Sequence, residues 1–256
     1  MEEFELTGLL RLPGAIPAAD TREMRDALWA ELARKHGICR DAPESWIPGK
    51  VSGLQEPERA GAFARMASDA LCGALDDLFA PRCWEPPPRW GSPLVTFPST
   101  RRKWNVPNKV WHLDIGAGGV SAGVDEVIVF AILEDLAPGG GATVAVAGSH
   151  RLIRKLAGES ADQVRSLDAR RILARADPWL SGLWSRDGAD RIRRYMQEGA
   201  MVEKVALRVV ELTGDAGDVV IMNPSILHTV ADNIRDRPRM VLRQGIRCAQ
   251  TASSAA

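Results

Sequence analysis

Apolar residues alternate loosely from Phe4 to Leu12, which predicts a short opening strand. The spacing then changes to three and four. Asp20-Thr21-Arg22-Glu23 has the D-x-x-E form of a helical capping box, and Met24, Leu28 and Leu32 follow on one face. Gly37 supplies a stop, so a helix is predicted from Asp20 to Gly37. Residues 38–58 hold Pro43, Pro48, Gly49, Gly53 and Pro57 and read as loop. Phe63, Met66, Ala70, Ala74 and Leu78 again fall at helical spacing and predict a second helix over Glu58–Phe79.

Beyond Pro81 the pattern is rich in Pro and Trp and irregular, with a strand at Leu94–Phe97. Strands then dominate. Lys109–Asp114 reads as one. Glu126–Leu133 is a nearly continuous apolar run, the mark of a strand buried on both faces. After the turn Gly139-Gly140-Gly141 comes Ala142–Ala147. Residues 150–200 interrupt with helical spacing (Leu152 and Leu156; Val164, Leu167 and Ile172; Ile192 and Met196). Strands resume at Val205–Leu212, Asp218–Met222, Leu227–Ala231 and Arg239–Ile246, and a frayed tail is expected over Gln250–Ala256. Short strands punctuated by Gly and Pro predict an all-β core of sandwich or barrel type with flanking helices. The expected organisation is one domain over residues 1–256. A helical part reaches to about residue 90, the β core spans about 91–247, and a helical insertion occupies about 150–200.

Charge narrows the function classes. Lys plus Arg and Asp plus Glu are both 33, so the formal net charge is zero, which argues against a nucleic-acid or membrane-surface partner. The acidic start Met1-Glu2-Glu3-Phe4-Glu5 has no apolar signal-peptide core, and no run is long enough to span a membrane. Cys39, Cys72, Cys83 and Cys248 are scattered without a C-x-x-C pair and are expected as reduced thiols in a cytoplasmic protein.

The candidate chemistry begins at Trp111-His112-Leu113-Asp114. In an extended strand, residues two apart share a face, so His112 and Asp114 project together. One more His would complete the two-His-one-carboxylate set that binds non-haem Fe(II) and leaves positions open on the metal. Of the remaining histidines, His36 ends a predicted helix and suits a structural role there, and His150 is expected on a loop surface. His228 follows the strand of Gly217-Asp218-Val219-Val220-Ile221-Met222 and the break at Pro224. Arg239 stands eleven residues further on, and its planar fork suits a carboxylate partner.

This ordered set resembles the phytanoyl-CoA dioxygenase-like branch of the Fe(II)/2-oxoglutarate oxygenases. The resemblance rests on Trp111–Asp114, the Gly-Gly-Gly strand ending in Ala147-Gly148-Ser149-His150, the Gly217–Val220 strand, and His228 with Arg239. It covers roughly residues 4–247 and includes an N-terminal strand and helix like Phe4–Lys35. Ala147 departs from a Pro common at that turn. The resemblance implies a double-stranded β-helix, a jelly roll of cupin-like form. It also implies Fe(II) held by His112, Asp114 and His228, with the distal carboxylate of 2-oxoglutarate on Arg239 and Phe130 against the cosubstrate. O2 is the third participant, and succinate and CO2 are released as a substrate C–H bond is oxidised. Related halogenases carry a small residue where this chain has Asp114, so hydroxylation or a related oxidation is expected.

The substrate is less determined. A small or carrier-linked molecule is expected, with Lys109, Trp111 and Arg243 as candidate pocket residues. Lys109 and Trp111 fall at odd offsets from His112 and would face away in a regular strand; Arg243, four past Arg239, shares its face or forms a rim salt bridge. Arg101-Arg102-Lys103 reads as a solvated loop. The 150–200 insertion, with 11 Arg/Lys against 7 Asp/Glu, reads either as a lid or as a contact within a homodimer. Two other readings stay open: a cupin-like metalloenzyme without 2-oxoglutarate, and a non-catalytic barrel module.

Overall fold

The computed structural model describes residues 1–101, 103–115, 124–158 and 164–249. Arg102, part of the insertion and the tail from Gln250 lie outside the described residues. Among the described residues eleven strands occur: β1 (Leu9–Leu12), β2 (Gly49–Val51), β3 (Trp84–Glu85), β4 (Ser92–Phe97), β5 (Glu126–Ile132), β6 (Thr143–Ala147), β7 (Ala200–Val202), β8 (Val205–Glu211), β9 (Val219–Met222), β10 (His228–Val230) and β11 (Arg239–Cys248). The larger sheet runs β1-β9-β5-β11-β4-β2, with β3 also on β11; the smaller runs β10-β6-β8-β7. These pairings are antiparallel.

β5 shows why the larger sheet sits at the centre. Val127, Val129 and Ala131 pack with helical residues such as Met24, Leu28 and Leu75, while Ile128, Phe130 and Ile132 face the space between the sheets. Both faces are therefore buried, as the apolar run predicts. β11 divides the same way: Met240, Leu242 and Ile246 go to the helical layer and Val241 to the interior. A strand's period of two then assigns Arg239 and Arg243 to the interior face with Val241.

The N-terminal layer departs from expectation in four places. Phe4 lies in a helix, α1 (Glu2–Thr7), and only β1 is extended. Glu2, Glu3 and Glu5 favour the positive helix start, and Gly8 (φ 78°) ends it. The next helix, α2 (Ala18–His36), begins before Asp20, so the D-x-x-E capping box does not form. The expected helix over Glu58–Phe79 is broken into a short α3 (Glu56–Arg59), a 3-10 turn at Ala64–Met66, and α4 (Asp69–Phe79). Gly61 adopts φ 78°, and the Ser68 hydroxyl accepts from Leu71 N to start α4 afresh. The loop expected over 38–58 contains β2.

The insertion contains α5 (Ser149–Ala157), α6 (Ser166–Ala176), α7 (Pro178–Ser181) and a π-helix at Ile192–Glu198. Leu152, Leu173, Leu180 and Tyr195 bury against the outer face of the smaller sheet, through Val144, Val146, Leu207 and Val209. Among the described residues no helix is long and apolar enough to cross a membrane.

Candidate metal and cosubstrate site

Lys109–Asp114 is not a strand. Val110 has φ 57°, a conformation costly for a β-branched residue, and the ladder shrinks to one bridge in which His112 and His228 exchange both backbone bonds at 2.9 Å. Asp114 N donates to Pro224 O at 3.0 Å. His228 belongs to β10, where it faces Ala145 of β6. Two chain segments are thus stitched backbone to backbone at the site.

The side chains converge. Ligand atoms of His112, Asp114 and His228 all lie within 4.8 Å of one another, and the two imidazole centroids are 4.2 Å apart. His112 Nε2 is 3.7 Å from Asp114 Oδ1, and His228 Nε2 is 3.6 Å from Oδ2. Each ring is aimed by its other nitrogen: His112 Nδ1 lies 2.8 Å from Val110 O, and His228 Nδ1 lies 2.9 Å from Ile226 O. Nδ1–H donation to a carbonyl leaves both Nε2 lone pairs for a metal. The kink at Val110 places one of those carbonyls. Burial works to raise the Asp114 pKa, but hydrogen bonding and charge from His228 and Arg243 outweigh it and hold the carboxyl well below the usual range. Burial and the neighbouring His228 push the His112 pKa down, in the direction of the neutral form that a metal ligand needs.

A cavity of about 500 Å³ opens from this trio, lined also by Phe130, Thr143, Arg239 and Arg243. Arg239 is 4% exposed. Its Nη2 donates to Thr143 Oγ1 at 2.9 Å, its Nε has no hydrogen-bond partner, and among the described residues no carboxylate pairs with it. Burial pushes its pKa down to about 10, so it stays charged at neutral pH. A buried guanidinium with an unused donor is costly unless an anion completes it. The trio fits a divalent metal ion, and Arg239 with Thr143 fits a carboxylate such as the distal one of 2-oxoglutarate.

The structure brings His112, Asp114, His228, Arg239, Phe130 and Arg243 to one cavity. Trp111 turns away: it is fully buried beneath the insertion, and its Nε1 donates to Pro107 O. Lys109 is exposed and does not line the cavity; its carbonyl accepts from Thr229 Oγ1. Arg243 Nη2 bonds Asp114 Oδ2 at 2.7 Å. A second cavity, of about 650 Å³, lies beyond that pair, against Glu85, Glu126 and Gly245. No described residue of 150–200 lines either cavity. Thr143 was invisible to motif reading; its signal is a polar residue opening an otherwise apolar strand, on the face of Ala145. His150 is not on a loop surface: it begins α5, its Nε2 meets Glu5 O at 3.2 Å, and burial pushes its pKa down to about 4. His36 ends α2 and reaches Ser52 O.

No family model matches the chain, and no curated protein matches it by sequence. Solved structures do match by shape. SnoN, a non-heme alpha ketoglutarate dependent epimerase from nogalamycin biosynthesis, was solved with Fe3+, alpha ketoglutarate and nogalamycin RO. It aligns at TM-score 0.56 and 16% identity over 100% of this chain and 90% of its own. The chain shares its fold with SnoN. AviO1 from Streptomyces viridochromogenes Tue57 aligns at TM-score 0.54 and 15% identity, covering 100% of this chain and 95% of its own. The non-heme monooxygenase ThoJ aligns at TM-score 0.50 and 17% identity over 96% and 76%.

Proposed function

We propose that this chain is an Fe(II)/2-oxoglutarate-dependent oxygenase that oxidises an unactivated C–H bond of a small or carrier-linked molecule. The two sheets form, in this reading, the halves of a double-stranded β-helix. The observation that carries it is Arg239: a buried, charged guanidinium with a free Nε, in the same cavity as a two-His-one-carboxylate cluster. His112 and His228 hold the metal through Nε2 and Asp114 through a carboxylate oxygen. Arg239 and Thr143 bind the distal carboxylate of 2-oxoglutarate, and Phe130 walls its chain. When bound, Fe(II), 2-oxoglutarate and O2 would together supply the oxidising power, with one oxygen atom of O2 going to substrate and the other to succinate as CO2 is lost. Leu94, Phe130 and Ala231 give the cavity an apolar wall that keeps water from the reacting centre. Asp114 occupies the position that a halogenase would free for chloride, which supports hydroxylation or a related oxidation.

The test is anaerobic titration of the protein with Fe(II) and 2-oxoglutarate, following the weak visible charge-transfer band of a chelated keto acid. The band should appear and be lost in Arg239→Ala. Iron binding without any band would instead support a metalloenzyme of this fold that does not use 2-oxoglutarate.

A further inference from the structure

β11 presents three arginines to one face at intervals of four, and each has a different environment. Arg247 is at the rim, with its side chain 71% exposed, 3.5 Å from Glu126. Arg239 is buried at the cosubstrate end. Arg243 lies between them, its main chain paired on both sides, to Ser92 of β4 and Phe130 of β5. Its base is therefore rigid, and its Nη2 reaches Asp114 Oδ2 at 2.7 Å.

We infer that Arg243 is a positioning residue for the metal site: it engages Asp114 Oδ2 so that the carboxylate offers the metal Oδ1 alone. This rests on the proposed metal site. A carboxylate with both oxygens free can chelate a metal through both. On a six-coordinate ion, two imidazoles and a two-point carboxylate leave two positions, whereas a one-point carboxylate leaves three. Keto-acid chelation uses two, so a third remains for O2 only when the carboxylate binds through one oxygen. Asp114 Oδ1 lies 3.7 Å from His112 Nε2 and Oδ2 lies 3.6 Å from His228 Nε2, so what distinguishes the two oxygens is that Arg243 holds Oδ2, at 2.7 Å. The main chain of Asp114 is fixed separately, by Pro224 O. Arg243 thus sets the rotation of the carboxyl group, which the backbone leaves free.

This reading opposes a purely electrostatic one. A fixed cation beside a divalent ion repels it, so simple charge removal at Arg243 would tighten metal binding. Loss of carboxylate orientation would weaken it, by about 10- to 100-fold for an outer partner of a metal ligand.

The experiment is Co(II) titration of wild type, Arg243→Met, Arg243→Lys and Arg247→Gln, read by the visible d–d bands, with thermal midpoints of the metal-free proteins measured alongside. Arg243→Met should weaken Co(II) binding by about 10- to 100-fold and change the band pattern, since a second carboxylate oxygen replaces a water in the ligand set. Arg243→Lys should recover part of the affinity, and Arg247→Gln should match wild type. Unchanged or tighter binding in Arg243→Met with an unchanged spectrum overturns the inference while leaving the metal site standing. Wild type that binds no Co(II) removes the metal site itself, and this inference with it. If Arg243→Met does not fold, Arg243→Gln decides, because it keeps a donor but no charge: Co(II) affinity and spectrum close to wild type support positioning of Oδ2 by a hydrogen bond. A Gln variant that binds more tightly overturns the inference.

Discussion

The two sides of the cavity are built by opposite means. β11 carries Arg239 and Arg243 on a continuous ladder, bonded to β4 and β5 and packed on the helical layer. The segment carrying His112 and Asp114 has almost no ladder of its own. It is gripped from behind by the 150–200 insertion. Arg191, 4% exposed, donates five bonds to carbonyls, two of them on Val106 and Pro107 and three within 182–185. Ser166 Oγ meets Leu113 O, and Trp111 sits in the insertion's apolar cluster. The difference teaches that the described part of this insertion works as a clasp: irregular backbone holds the proposed metal ligands because helices elsewhere complete its hydrogen bonds.

The comparison can be broken most severely at Arg239. Arg239→Met should weaken 2-oxoglutarate binding by about 30-fold or more, from about 2–5 kcal/mol for an unpaired buried carboxylate. The cosubstrate-free protein should become more stable by about 1–3 kcal/mol, because a buried charge lacking its partner is removed. Isothermal titration and denaturant unfolding check both, and a destabilised apo variant would show that the guanidinium is satisfied without ligand. Arg191→Met tests the other side. It should cost about 3–5 kcal/mol of stability by leaving carbonyls unmet, and metal affinity should fall with it, whereas the β11 side should not respond. His150 makes the clasp sensitive to acid. Its folded pKa of about 4 lies below the unfolded value of about 6.5, so the unfolded chain takes up the proton first. Stability is therefore full above pH 6.5 and lost as pH falls toward 4, by about 1–3 kcal/mol, and His150→Gln should flatten that slope in pH-dependent unfolding. The smallest effect is at Val110, which is 72% exposed with φ 57°. Val110→Asn should gain about 0.5–1 kcal/mol without loss of metal affinity, because Asn tolerates the left-handed conformation.

These differences also explain what the sequence made legible. β5 could be read because a strand covered on both faces writes itself as an uninterrupted apolar run. His112, Asp114, His228 and Arg239 could be read together because the ordered set is distinctive, although the extended strand invoked to align the first two is not there. Their alignment comes from a kink at Val110 and a bridge to His228, and neither leaves a mark in local periodicity. The break between α3 and α4 was hidden because apolar residues at helical spacing persist across a glycine turn and a new serine cap. The clasp was illegible for another reason. Arg191 acts on Val106 from 85 residues away, and in sequence it is one arginine in a basic stretch.

The reciprocal bonds between the His112 and His228 backbones mean that the donor cage is assembled before any ion arrives. A preassembled cage of two imidazoles and a carboxylate gains little selectivity from folding around its ion, and intrinsic affinity then follows the order in which nickel, copper and zinc outrank ferrous iron. Which metal the proposed site would carry then becomes a question of supply. The same polypeptide should be recovered as different metalloforms from media differing only in trace elements, and iron loading depends on the ionic surroundings at the moment of filling.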